Sequence, residues 1–213
     1  MTKKSTLRFI LSTIFLFGSI ALAQSLEYYA GDKRTGVDLL WFKNFKSSDE
    51  KNTPFLFFSR NRASVDYHNS PTAFGSTNAI SYNFKNGFGL VTVASFLNNG
   101  FTPKAGLQYF KAKNNFLFFG WLVTDIKNKG GIDCFGLFRY QPKINEKWQL
   151  FIQLELFPIY NPSIGIWNTT ERFRLGIKYN QLAFGLMLDS NQSGKTDWVT
   201  TEISGVFVRY DFK

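Results

Sequence analysis

From Ser204 onward, Val206, Val208, Tyr210 and Phe212 alternate with Phe207, Arg209 and Asp211. A pleated strand with this order carries four large apolar groups on one face and two charges on the other. The same period of two recurs upstream. Trp148, Leu150, Ile152, Leu154 and Leu156 alternate with Gln149, Phe151, Gln153 and Glu155, and Phe173, Leu175, Ile177 and Tyr179 alternate with Arg172, Arg174, Gly176 and Lys178. Over Ile132 to Gln141, Asp133 and Arg139 oppose Cys134, Gly136, Phe138 and Tyr140, and over Phe55 to Arg62 two phenylalanines oppose Arg60 and Arg62. Two further runs, Thr35 to Phe45 and Phe116 to Asp125, are apolar on both faces and leave their facing unassigned.

Turn signals separate these runs. Lys85-Asn86-Gly87 is the strongest, because an Asn-Gly pair between alternating segments accepts positive φ and closes a hairpin. Asn98 to Gly100, Asn114-Asn115, Gly130-Gly131, Pro142 to Lys147 and Asn180-Gln181 act alike. Pro158 to Thr169, the longest, and Ser190 to Asp197 are read as loops. Eleven strand runs emerge, with no helical period, no low-complexity tract and no compositional break. One all-β domain is expected, an antiparallel meander whose closure into a barrel removes both edges.

The closing strand resembles the final strand of the outer-membrane β-barrel proteins of Gram-negative bacteria, which alternates in this way and ends in an aromatic residue read by the barrel-assembly machinery; here Phe212 precedes a last Lys213. The resemblance implies an up-and-down transmembrane barrel in the cell outer membrane, in contact with lipid and lipopolysaccharide. It also implies an even number of strands with both ends at the periplasmic side. Leu150, Ile152, Leu154, Phe173, Leu175, Ile177, Val206, Val208, Tyr210 and Phe212 would then face the membrane. The connections at Asn98, Ile126, Pro158 and Ser190 fall on one side and read as longer than those at Lys85 and Asn180 on the other. Longer loops belong outside the cell. That asks for one more strand before Thr35, drawn from Gln24 to Arg34, so twelve strands are expected, with ten as the alternative. Alternation would equally suit a soluble ligand-binding barrel with its apolar faces turned inward. The number of runs, the aromatics near strand ends and Phe212 favour the membrane.

Residues 1–23 read as a cleaved signal peptide, with Lys3, Lys4 and Arg8 as the basic head, Phe9 to Leu22 as the apolar core and Ala21-Leu22-Ala23 at the cleavage site. The barrel domain would occupy residues 24–213. An aromatic fraction of 18% fits a barrel with an apolar band and aromatic girdles. One cysteine, Cys134, excludes an internal disulfide framework. The formal charge is +10, three of it in the signal segment, so +7 remains. An exported chain with no basic run is not read as binding nucleic acid.

Charged side chains opposite a lipid face must point into the lumen. Arg139, Glu155, Arg172, Arg174, Lys178 and Arg209 are therefore expected to line it, partly paired with Asp133 and Asp211. A basic excess would favour small anionic solutes, and full pairing would give a closed lumen. The only histidine lies in His68-Asn69-Ser70. This resembles the His-x-Ser pair of the outer-membrane phospholipase and lipid A deacylase, which implies His68 as base and Ser70 as nucleophile, although Pro71 follows and the segment reads as a turn. No metal-ligand spacing and no cofactor motif occurs. Three functions stay open: a small anion-favouring pore, a non-conducting structural or docking barrel that uses outer loops, chiefly Pro158 to Thr169, and a lipid esterase.

Overall fold

The computed structural model describes residues 24–68, 72–98, 100–127 and 131–212. The signal segment and Ser70 lie outside the described residues. Twelve strands follow one another: β1 (Gln24–Gly31), β2 (Arg34–Lys46), β3 (Asn52–Asp66), β4 (Ala73–Asn83), β5 (Phe88–Leu97), β6 (Gly100–Lys113), β7 (Phe116–Asp125), β8 (Ile132–Tyr140), β9 (Trp148–Asn161), β10 (Ile166–Tyr179), β11 (Leu182–Gly194) and β12 (Trp198–Phe212). Each pairs antiparallel with its neighbours in sequence, and β1 pairs with β12 to close the barrel. The segment Gln24 to Arg34 thus supplies the twelfth strand, with Leu26 opposite Tyr210 on one side and Leu39 on the other.

The local chemistry explains the short connections. Gly87 takes φ +92° in the β4–β5 turn while the Asn86 side chain accepts the Phe88 amide, and Asn180 takes φ 53° between β10 and β11. Two expected loops are corrected. Pro158 to Thr169 is almost entirely paired, with Pro158 opposite Thr169 and Asn161 opposite Ile166, and only residues 162–165 form the turn. Proline suggests a strand end because it lacks a donor, yet one missing hydrogen bond does not halt a ladder that Tyr160 and Trp167 reinforce by ring contact at 4.8 Å. Ser190 to Asp197 likewise belongs to the β11–β12 hairpin up to Gly194, where Asn191 pairs with Thr170 and Ser193 with Asn168. Pro158 to Thr169 reads as a loop because of its two prolines, and Ser190 to Asp197 because it is polar, as suits strand ends.

The expected difference in loop length is absent. Residues 141–147, at the mouth that carries Gln24 and Phe212, form a longer connection than residues 195–197 at the opposite mouth. These are called the lower and upper mouths. The outer surface is apolar over most of the circumference. Leu154, Phe173, Leu175, Val206, Val208, Tyr210 and Phe212 are exposed there, and Leu150, Ile152 and Ile177 are half-buried between them. A contiguous apolar belt of this extent is matched only by a hydrocarbon surrounding.

The interior is packed in two halves. Along β2 to β8 an aromatic cluster dominates: Phe42, Phe58, Phe119, Trp121 and Phe135 pack together, with Phe119 4.7 Å from Phe42 and 5.3 Å from Phe58, beside a few buried polar groups such as Gln108 and Asp133. This resolves the strands that were apolar on both faces, since one set of side chains meets lipid and the other fills the barrel. Along β9 to β12, β1 and the facing parts of β2 and β3, the interior is charged.

Candidate functional site

Alternation along the strands brings basic and acidic side chains from distant strands to one level. Arg60 on β3 donates to both carboxylate oxygens of Asp38 on β2 and, at 2.6 Å, to Glu155 on β9. Arg62 reaches Asp189 on β11 at 3.3 Å, and Arg172 reaches Glu155 at 3.4 Å. Arg174 is gripped at both ends of its guanidinium, by Glu27 at 2.9 Å and Asp189 at 2.6 Å. Lower down, Arg209 pairs with Asp211 at 2.8 Å, Lys178 pairs with the same carboxylate, and Arg139 donates to Gln153 at 2.8 Å. Away from this group, Lys104 pairs with Asp133.

All six residues expected in the lumen, Arg139, Glu155, Arg172, Arg174, Lys178 and Arg209, point inward, but they do different things. Arg174, with 2% of its surface exposed, is a strut between acids and not a free charge. Lys178 and Arg209 flank the lower mouth, and of the six only Arg172 reaches the upper cavity. The acids Glu27, Asp38 and Asp189 and the bases Arg60 and Arg62 complete the network, and Arg34 stands beside it at the upper cavity. For Arg60 and Arg62 the signal was present, two arginines two residues apart opposite a phenylalanine face. Glu27 was hidden in a segment without clear period, and Asp38 and Asp189 were single acids in apolar strands.

Two of the cavities open at opposite ends and share no lining residue. The upper one, about 240 Å³, is bordered by Arg34, Arg60, Arg62 and Arg172 together with Tyr29, Trp121, Phe135 and Asn191. No acid lines it. Behind the lining, Nε of Arg34 and the indole Nε1 of Trp121 are buried without a hydrogen-bond acceptor, while Nε of Arg62 and of Arg172 face Asp38 at 3.7 Å and Asp189 at 3.9 Å. The lower cavity, about 250 Å³, mixes Arg139, Lys178 and Arg209 with Asp211 and the apolar Leu40 and Phe42. Phe119, Phe151, Glu155 and Arg174 line neither cavity, are at most 2% exposed, and form a septum of side chains at mid-height.

In sequence, no protein-family model and no curated protein matches the chain. In structure, the barrel is similar to the KdgM porin in complex with disordered oligogalacturonate, with a TM-score of 0.51 and 14% identity over 90% of this chain and 100% of that one. It is equally similar to the NanC porin, with a TM-score of 0.51 and 14% identity over 91% and 100% of the two chains. The fold is that of a porin-type outer-membrane barrel. On this fold the apolar belt lies on the outer wall of the barrel, and the charged network lies inside it.

The remaining candidates do not join this constellation. In the porin-type barrel, His68 is exposed in the β3–β4 connection, and its backbone amide donates to Asp66 at 3.1 Å. Cys134 faces outward on β8 among apolar neighbours. Among the described residues no group of His, Cys, Asp or Glu side chains is arranged to hold a metal ion.

Proposed function

We propose that this chain is an outer-membrane channel for small anionic solutes, which enter through the arginine-lined upper cavity. The observation that carries the reading is the upper cavity's lining, whose charged members are all arginines. Arg34, Arg60, Arg62 and Arg172 face the cavity, while the acids that pair with three of them, Asp38, Glu155 and Asp189, stand behind its lining, which biases the mouth toward anions. Carboxylates, phosphates and acidic saccharides carry that charge. The similar KdgM structure contains an acidic saccharide of this kind, oligogalacturonate. Trp121 and Phe135 add flat apolar surface beside the guanidinium groups, a pairing suited to a ring that carries a carboxylate. For transport, the septum must yield. It consists of side chains alone, so movement of Phe119, Phe151, Glu155 and Arg174 would join the two cavities without any break in the wall.

The septum also favours a second reading, a barrel that captures its anion at the upper mouth without passing it. Conductance separates the two. The full barrel refolded into a planar bilayer under a salt gradient should show single-channel steps with an anion-directed reversal potential, reduced by millimolar acidic sugar. A folded barrel that stays silent under all voltages, yet still binds the sugar, would leave only the capture reading.

A further inference from the structure

On the outer wall, strands β3 and β4 break the apolar belt. Ser59 and Asn61 on β3 stand directly opposite Asn78 and Ser76 on β4. All four share the face that carries Phe57, Ile80 and Tyr82, and each lies near the middle of its strand. They close a ring of hydrogen bonds: Ser59 donates to Asn78 at 2.7 Å, Asn78 to Ser76 at 3.1 Å, Ser76 to Asn61 at 2.7 Å and Asn61 to Ser59 at 3.2 Å. The ring leaves one amide hydrogen on each asparagine, and one acceptor site on each oxygen, without a partner inside the ring. Hydrocarbon cannot answer these groups. Next to Asn78 on β5 stands Ala94, which leaves the patch low and open to close approach.

We infer that the β3–β4 face is a self-association surface that receives the same face of a second copy of this chain. Two barrels inserted in the same sense are related by a two-fold axis along the membrane normal. That axis sets β3 of one copy against β4 of the other. Asn61, half-exposed, then meets the half-exposed Ser76 of the second copy, and the reciprocal pair forms on the other side of the axis. The spare amide hydrogen of Asn61 finds the spare acceptor of the serine hydroxyl, so the patch is complementary to itself. The packing of small side chains and the polar bonds across the interface are the forces that associate segments inside lipid. This surface lies outside the lumen and is independent of the proposed transport.

The test is association of the full barrel in lipid vesicles, followed by energy transfer between separately labelled copies as lipid is added. Wild-type barrels should pair, and the protein density for half-pairing should rise by about tenfold in Asn61→Val combined with Ser76→Ala, in line with the loss of two to four polar bonds in lipid. Ala94→Trp keeps the ring and adds bulk beside it, and should weaken pairing comparably if the two faces meet. Heat-dependent gel mobility monitors folding of each variant. Monomeric wild type at every density, pairing that neither variant alters, or occupation of the face by a different membrane protein would each overturn the inference.

Discussion

Arg60 and Glu155 meet at 2.6 Å although their strands, β3 and β9, lie six apart in a closed order of twelve. The pair therefore spans the full width of the barrel, and Asp38, Arg172 and Gln153 hold its two ends in place.

Replacing Glu155 by Gln removes the carboxylate that joins Arg60 to Arg172. Breaking a buried pair on one side destabilises by about 3–5 kcal/mol, and Asp38, which keeps Arg60 paired, puts the expected loss at the lower end. Urea unfolding from vesicles reads this loss, and bilayer recordings should show larger or more frequent openings. Replacing Arg60 and Glu155 together by Met should not recover the loss, because buried Asp38 then loses the arginine that holds both its oxygens and Arg172 loses its nearer carboxylate.

Neutralising the upper cavity should change selectivity, at some cost in stability because Asp189 loses Arg62 and Glu155 loses Arg172. Arg62→Ala with Arg172→Ala is expected to move the reversal potential toward zero and to weaken inhibition by acidic sugar. Lys178→Met, at the lower mouth and already paired with Asp211, should shift it less. Equal shifts would mean that the upper mouth does not set the ion preference.

Phe119 is fully buried at the centre of the interior aromatic cluster. Phe119→Ala should lower the unfolding free energy by about 3–5 kcal/mol, the range for large core aromatics. The vacated space lies at the septum, so conductance should rise in the same variant. Loss of stability with unchanged conductance would place the closure elsewhere.

The outer face should respond to charge according to depth. Leu175→Arg, in the apolar belt, is expected to destabilise by about 2–4 kcal/mol. Gln192→Arg, near the upper end of β11, should change stability by about 0–1 kcal/mol. The pair of unfolding measurements locates the upper membrane boundary.

The barrel and its outward faces were legible in the sequence wherever charge and large apolar groups alternated, as on β9, β10 and β12. The strand number was reached partly by a wrong route, since the loop lengths it drew on do not differ as expected; β1 earns its place by pairing with both β2 and β12. The candidate site was half legible. Charged residues opposite lipid-facing ones must enter the lumen, so Arg172 and Arg174 could be placed. How each is paired depends on Glu27, Glu155 and Asp189, whose approach is set by closure of the ring and by no local pattern. The aromatic filling of β2 to β8 was hidden for a related reason: a strand apolar on both faces does not say which set of side chains meets lipid.

A barrel wall is a single hydrogen-bonded sheet, and its softest deformation is to flatten into an ellipse. In this molecule the tie between Arg60 and Glu155 resists lengthening of one diameter, and the aromatic wedge around Phe119 resists shortening of another. The cross-section is thus held round from within. Lateral pressure in the bilayer would have to break an ion pair or compress a packed core before it could change the bore, so the shape of this barrel should vary little with the thickness or tension of the membrane around it.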